Sequence, residues 1–351
     1  MRTTLIAFLG LSFLAACGPI GGVEADDSAA VGGGGSGGAA ATMTGTGLVG
    51  AGGARPANPH NRTSLVWIWE NYRVALNAVL QNQNSFTHVS PAIYQMNYDY
   101  QGGVVKDFDP TGYYTGLNGQ QMAVALHSAG IKMVPLIYAG AGNNGVDTGI
   151  QNVLSNPTIA QSFIDSQVQL ALTNGYDGWN LDWEVGGGVT EEYATQLVSF
   201  LTSFKKALNA QGMELSYDLG DWYIKQCSAS GYTGVVDLTA FGAAVDQAII
   251  EDYAKTLDGP LQACPTAVPA QEDCGSFGAQ LQVMCSTTPS TVSIGLITPG
   301  SNTYAPDALQ AIGSYGYQSI AIWPDDSGFL NGAGIPNSAT WYGMLGTWLA
   351  N

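Results

Sequence analysis

From about residue 63 onward, short apolar runs alternate with longer stretches in which apolar residues recur every three or four positions. The short runs are Ser64–Trp69, Phe86–Tyr94, Ile131–Tyr138, Asp177–Glu184, Met213–Asp218, Gln247–Tyr253, Thr291–Thr298 and Ser319–Trp323. Each has the length of a buried strand, and helical patterns stand between them. The clearest helix covers 157–173. It opens on Pro157, repeats Ile159, Phe163, Val168 and Leu172, and stops at Asn174-Gly175. A second covers 190–210, with Thr190 as N-cap, Glu191 and Glu192 in the first turn, and Lys205 and Lys206 near its close. Further helices are expected at 118–129, 305–314 and 338–349. Eight strand-like runs alternating with helices predict an α/β fold, a single (β/α)8 barrel. The fifth and sixth crossovers, about 221–246 and 254–290, are long and Gly-rich and read as elaborated loops.

One run departs from a plain core strand. In Asp177-Gly-Trp-Asn-Leu-Asp-Trp-Glu184, alternation puts Trp179, Leu181 and Trp183 on one face and Asn180, Asp182 and Glu184 on the other. In a barrel, the apolar face packs on the outer helices. The amide and the two carboxylates then face the interior and the C-terminal mouth, where barrel chemistry sits. Asp182 and Glu184 leave the same face about 7 Å apart at Cα. Burial and a neighbouring negative charge both raise the pKa of Glu184 and keep it protonated for general-acid work. The usual two-carboxylate glycosidase pair comes from different elements. Two acids on one strand suit a mechanism whose nucleophile belongs to the substrate.

Composition narrows the setting. Charged residues make up 11% of the 351, and the net charge is −17, which argues against a nucleic-acid partner. Arg2, the apolar run Leu5–Ala16 and the small residues before Cys17 read as an export signal, too short to span a bilayer. Residues 1–17 are thus expected to be a signal peptide. The exit Leu14-Ala15-Ala16-Cys17 resembles a bacterial lipobox, which would make Cys17 the lipidated first residue and a lipid anchor the only membrane contact. An ordinary signal peptide is the alternative. Residues 18–57, with Gly32-Gly33-Gly34-Gly35-Ser36-Gly37-Gly38, read as a flexible tether of roughly 35 Å r.m.s. span. Residues 58–351 are expected to form the (β/α)8 domain. The expected location is extracytoplasmic, at the cell envelope or secreted, with a monomer expected. Cys227, Cys264, Cys274 and Cys285 read as two disulfides of open pairing. His60, His88 and His127 are scattered and read as structural. No cofactor and no metal site are expected, since no Cys/His spacing suggests zinc. A cation held by Asp182, Glu184 and Asp325 or Asp326 is the weighed alternative.

The run at 177–184 resembles the strand-four signature of glycoside hydrolase family 18, Asp-Gly-x-Asp-x-Asp-x-Glu. The similarity extends back through Phe163-Ile-Asp-Ser and Asn174-Gly-Tyr and forward into the next helix. The resemblance implies a retaining glycosidase acting on β-1,4-linked N-acetylglucosamine glycans such as chitin oligosaccharides. Glu184 would be the acid/base, and Asp182 would position the substrate's 2-acetamido group, whose carbonyl attacks C1. By the same resemblance, Trp323 floors the sugar subsite and Tyr253 bonds the acetamido carbonyl, although Ala254 stands where the family commonly has Asp or Asn. From barrel position alone, Tyr217 and Asp218 are further substrate-binding candidates. As neighbours on a strand they face opposite ways, so one of them reaches the mouth.

Two departures stand out. Asn180 replaces the family's second Asp, and Ala139-Gly-Ala-Gly142 replaces its Ser-x-Gly-Gly on strand three. Asn180 is expected to donate its amide to Asp182, and chitobiase-like and spore-cortex-hydrolase-like branches resemble this Asn variant. The alternatives are an endo-β-N-acetylglucosaminidase acting on N-glycan or peptidoglycan strands, and a catalytically silent sugar-binding barrel.

Overall fold

A computed structural model describes residues 58, 61–69, 72–108, 110–112, 116–140, 148–184, 189–220, 223–225, 234–251, 291–297, 305–323 and 338–351. The export signal, Cys17, the 18–57 tether, His60, Tyr253, Asp325, Asp326, the 254–290 crossover and the four later cysteines lie outside these residues.

One 11-stranded sheet carries the fold. Its strands are β1 (Thr63–Ile68), β2 (His88–Pro91), β3 (Tyr94–Gln95), β4 (Lys106–Asp107), β5 (Lys132–Met133), β6 (Leu136–Ala139), β7 (Gly178–Trp183), β8 (Glu214–Gly220), β9 (Gln247–Glu251), β10 (Val292–Ile297) and β11 (Ser319–Trp323). From β7 the parallel pairing runs through β8, β9, β10 and β11 to β1 and then β2. Two barrel positions are each broken in two. β2 pairs with β5, whereas β3 pairs with β6, and β6 returns to β7. The expected strands at 86–94 and 131–138 are therefore not continuous. Pro135 has no N–H to give to a ladder, and it falls between β5 and β6. Its carbonyl is still used, accepting from the Asn180 backbone N–H at 3.0 Å. β4 lies outside the ring, antiparallel to β3.

The helices are α1 (Tyr72–Gln81), α2 (Gly119–Ser128), α3 (Thr148–Ser155), α4 (Pro157–Asn174), α5 (Glu191–Asn209), α6 (Leu238–Ala244), α7 (Ala305–Ser314) and α8 (Ser338–Ala350). α4 and α5 begin and end within a residue of the sequence expectation because their caps are chemical. The Asn156 side chain accepts from the Thr158 and Ile159 N–H groups, and Gly175 closes α4 in the left-handed region at φ 72°. The Thr190 side chain accepts from the Tyr193 N–H at the head of α5. α1, α3 and α6 go beyond the expectation. α6 puts a helix inside the 221–246 crossover, started by Asp237 accepting from the Ala240 N–H.

The apolar face of β7 is the centre of the outer layer. Trp179 meets the rings of Tyr94 and Tyr176 at 5.2 and 5.5 Å and donates its indole N–H to the Gln167 carbonyl of α4 at 3.0 Å. Trp183 stacks on Phe200 of α5 at 5.3 Å and meets Phe163 of α4 edge-on at 5.7 Å. Inside the barrel a smaller apolar set, including Leu65, Trp67, Leu136 and Ile249, packs separately. The helices thus anchor β7 from outside and leave its other face to the interior.

At the strand starts, Glu214 of β8 accepts from the His88 ring at 2.7 Å and from Lys132 at 2.8 Å. Burial alone would raise the Glu214 pKa, but the His88 hydrogen bond and the charges of His88 and Lys132 win and bring it down to about 2. A folded-state pKa below the unfolded one contributes stability above the unfolded value, and that contribution is lost as pH falls through the folded one. Glu214→Gln should therefore cost roughly 2–3 kcal/mol near neutral pH. The gap from wild type should close as pH drops from about 4.5 towards about 2. Urea titrations across that range measure it, and a gap that stays constant with pH would contradict the ion-pair account.

Candidate active site

Gly178 lets β7 lie tightly against β8. A Cβ at this position would stand 2.0 Å from the backbone carbonyl oxygen of Glu214, its partner in register. From there the strand alternates as its sequence dictates, and Asn180 and Asp182 are buried in the interior. Glu184 follows the last strand residue. Its N–H donates to the Ala139 carbonyl at 2.9 Å, and Tyr138 Oη donates to Glu184 Oε2 at 3.4 Å. The carboxyl is half-buried at the C-terminal end of the strand.

Asn180 has a fixed orientation. Its Oδ1 accepts from the Trp67 indole N–H at 2.9 Å and from Ser90 Oγ at 3.1 Å. The amide nitrogen therefore faces the other way and donates to Asp218 Oδ1 at 2.8 Å. This corrects the expectation that the amide supports Asp182. It supports Asp218, one strand further round.

Asp218 is the member of its pair that reaches the interior. Tyr217, expected as a substrate contact, lies fully buried in the outer layer. It meets Phe241 edge-on at 5.2 Å, and its hydroxyl donates to the Trp183 carbonyl at 3.3 Å. The apolar parity of Leu215, Tyr217 and Leu219 faces the helices, as on β7, so Tyr217 is removed from the candidate substrate contacts.

Carboxylate oxygens of Asp182, Asp218 and Glu251 all lie within 4.8 Å of one another. Burial pushes the Asp182 carboxyl well above the ordinary range, and the charges of Glu251, Glu184 and Asp218 add to it. Burial and Glu251 push Asp218 up as well, with the hydrogen bond from the Asn180 amide pulling the other way. Burial also raises Glu184, with the Tyr138 hydroxyl pulling the other way. A raised carboxyl at the mouth of a barrel can carry a proton at neutral pH and deliver it. The three clustered oxygens could also gather a hard cation, with water completing its shell.

An aromatic platform borders the carboxylates. Trp69 and Trp323 stack at 5.7 Å with their planes 6° apart, and Trp67 meets Trp323 edge-on at 5.9 Å. Trp323 thus sits at the end of β11 beside rings from β1 and the residue after it. Glu251 is a site residue that the sequence reading does not assign. Glu251 shares the parity of Ile249 along β9, which packs in the interior set, and that is the signal that places it inward. His88 and His127 bind Glu214 and Asp177 at the opposite end of the strands.

A β/α barrel that holds a carboxyl of raised pKa at a strand end, a buried carboxylate beside it and an indole platform has the features of a glycoside hydrolase. Residues 66–256 match the family model described as glycosyl hydrolases family 18. The chain belongs to that family. A class V chitinase from Arabidopsis thaliana is 36% identical over 64 residues, a stretch covering 18% of this chain and 16% of that protein. Among solved structures, the Group IV chitinase of Ostrinia furnacalis is similar with a TM-score of 0.60 at 12% identity, over 83% of this chain and 100% of that one. The spore cortex-lytic enzyme SleL of Bacillus cereus is similar at 0.57 and 16%, over 81% and 74%. The chitinase of Chromobacterium violaceum ATCC 12472 is similar at 0.57 and 13%, over 83% and 99%. At these identities the structural likenesses speak to the barrel fold.

Proposed function

We propose that the protein is a retaining glycosidase that hydrolyses β-1,4-linked N-acetylglucosamine glycans, with chitin oligosaccharides as substrate. The observation that carries this reading is the placement of Glu184, half-buried at the end of β7, on the face that also bears the buried Asp182. Glu184 gives its proton to the leaving glycosidic oxygen as the C1–O bond breaks. The carbonyl oxygen of the substrate's 2-acetamido group forms the new bond to C1, and Asp182 orients that group. Glu184, now ionised, takes a proton from water as the water attacks C1 and reopens the ring, so configuration is retained. The Trp69–Trp323 stack offers a flat apolar floor on which a pyranose can lie.

Product analysis tests this. Chromogenic glycosides of chitobiose and chitotriose, a high-mannose glycopeptide and peptidoglycan should be incubated between about pH 4 and pH 8, a range that spans plausible carboxyl pKa values. Release from the chitin glycosides with retained anomeric configuration is expected. Cleavage of the glycopeptide or peptidoglycan alone would move the assignment to an endo-β-N-acetylglucosaminidase. Oligosaccharide binding with no turnover on any substrate would mark a silent sugar-binding barrel.

A further inference from the structure

The amide of Asn180 is spent on Asp218. Asp218 is 5% exposed. Its Oδ1 accepts from Asn180, while its buried Oδ2 has no hydrogen-bond partner. A buried carboxylate oxygen left without a donor is costly. A proton on that oxygen turns it from an unsatisfied acceptor into a donor, and Asp182 and Glu251 each bring a carboxylate oxygen within 4.8 Å of an oxygen of Asp218. Two buried carboxylates this close to each other and to the partly buried Glu251 cannot all remain ionised.

We propose that Asp182, Asp218 and Glu251 hold a shared proton seated on Asp218 Oδ2, and that Asp218 is thereby a positioning residue that orients Asp182 towards the substrate. Asn180 sets the seat, because its amide occupies Oδ1 and leaves Oδ2 for the proton. The groups facing Asp182 are Glu251 from β9, Asp218 from β8, Glu184 from its own strand and Tyr138 from β6, its partner in register. Asp218 faces Glu251, Glu184, the Asn180 amide and the Trp67 indole N–H. Burial and mutual charge, acting on Asp182 and Asp218 alike, favour the protonated cluster. The orienting role rests on the glycosidase reading; the shared proton itself does not.

The proton is read first without substrate. If the folded protein holds one proton that the unfolded chain releases, its folding constant falls about tenfold per pH unit above about pH 5 until the cluster ionises. Asp218→Asn keeps a hydrogen-bond donor at Oδ2 but cannot carry that proton. Its stability curve should lack this decline, and denaturant unfolding of both proteins from about pH 5 to pH 8 compares them. Parallel curves would overturn the shared proton. So would a calcium-dependent rise in wild-type stability that is absent from Asp218→Asn, because the cluster would then be holding a cation.

The positioning role is read by turnover. Asp218→Ala should lower kcat about ten- to a hundredfold with KM within about threefold. Asp218→Asn should recover most of that loss and remove one proton from the alkaline limb of the pH profile. Equal kcat in the two variants, or unchanged limbs, would reduce Asp218 to a structural residue. A wild type that turns over no glycan while its stability still falls with pH would sink the enzyme reading and the orienting role but leave the shared proton standing. If Asp218→Asn does not fold, Asp218→Ala, which also removes the seat of the proton, replaces it in the stability comparison, with the same expected loss of slope and the same overturning result.

Discussion

Glu184→Gln should abolish turnover while leaving the fold and glycan binding in place. The substitution keeps the side chain's size and leaves an oxygen for the Tyr138 hydroxyl, which lies 3.4 Å from Glu184 Oε2. It removes the one thing the mechanism asks of this position, a proton that can be given up and taken back. Burial raises the Glu184 pKa, so the wild-type carboxyl is protonated over more of the working range than an exposed glutamate. An amide provides no such donor at any pH. A loss of kcat of about 10³-fold or more, with KM changed by a few-fold at most, is the scale on which removing general-acid and general-base help falls. Circular dichroism and isothermal titration with chitooligosaccharide check that the variant is folded and binding. Wild-type turnover in a verified Glu184→Gln preparation would take Glu184 out of its role.

The sequence made β7 legible because a strand's period of two sorts Trp179, Leu181 and Trp183 from Asn180, Asp182 and Glu184 with no knowledge of the neighbours. The same rule extends to β8. Leu215, Tyr217 and Leu219 form its apolar parity, and Ser216 and Asp218 its polar one, so the inward placement of Asp218 follows from the pattern once both residues are set beside their neighbours. What the pattern does not contain is hydrogen-bond partnership. Asn180 is held by Trp67 of β1 and Ser90 of β2 and gives its amide to Asp218 of β8. Those partners lie between 38 and 113 positions away along the chain, and closure of the ring brings them together. The short elements escaped for a related reason. The seven residues of α6 make fewer than two turns, too short to establish a helical period, and the divided strands depend on where Pro135 falls in the ladder.

Gly178→Ala should be the most damaging single methyl in the motif. The added Cβ would lie 2.0 Å from the Glu214 carbonyl oxygen, 2.8 Å from its carbon and 2.9 Å from its nitrogen. All three are backbone atoms in a register partner, so no side chain can swing aside and β7 must separate from β8. That separation pulls against the Trp179 and Trp183 packing on one face and the 2.8 Å Asn180–Asp218 bond on the other. A loss of roughly 3 kcal/mol or more is expected, above the usual cost of overpacking because two strands must move. Tm should fall by roughly 5–10 °C, and kcat/KM should fall with it because Asp218 shifts relative to Asp182. Gly175→Ala separates this effect from a general intolerance of alanine nearby. Gly175 has φ 72° with nothing within 4 Å of where a Cβ would stand, so its cost is the backbone strain of a left-handed alanine, about 1 kcal/mol, with kcat/KM unchanged. Calorimetry and steady-state kinetics on the two variants give the contrast. Equal destabilisation with equal activity would mean that the β7–β8 approach does not govern the site.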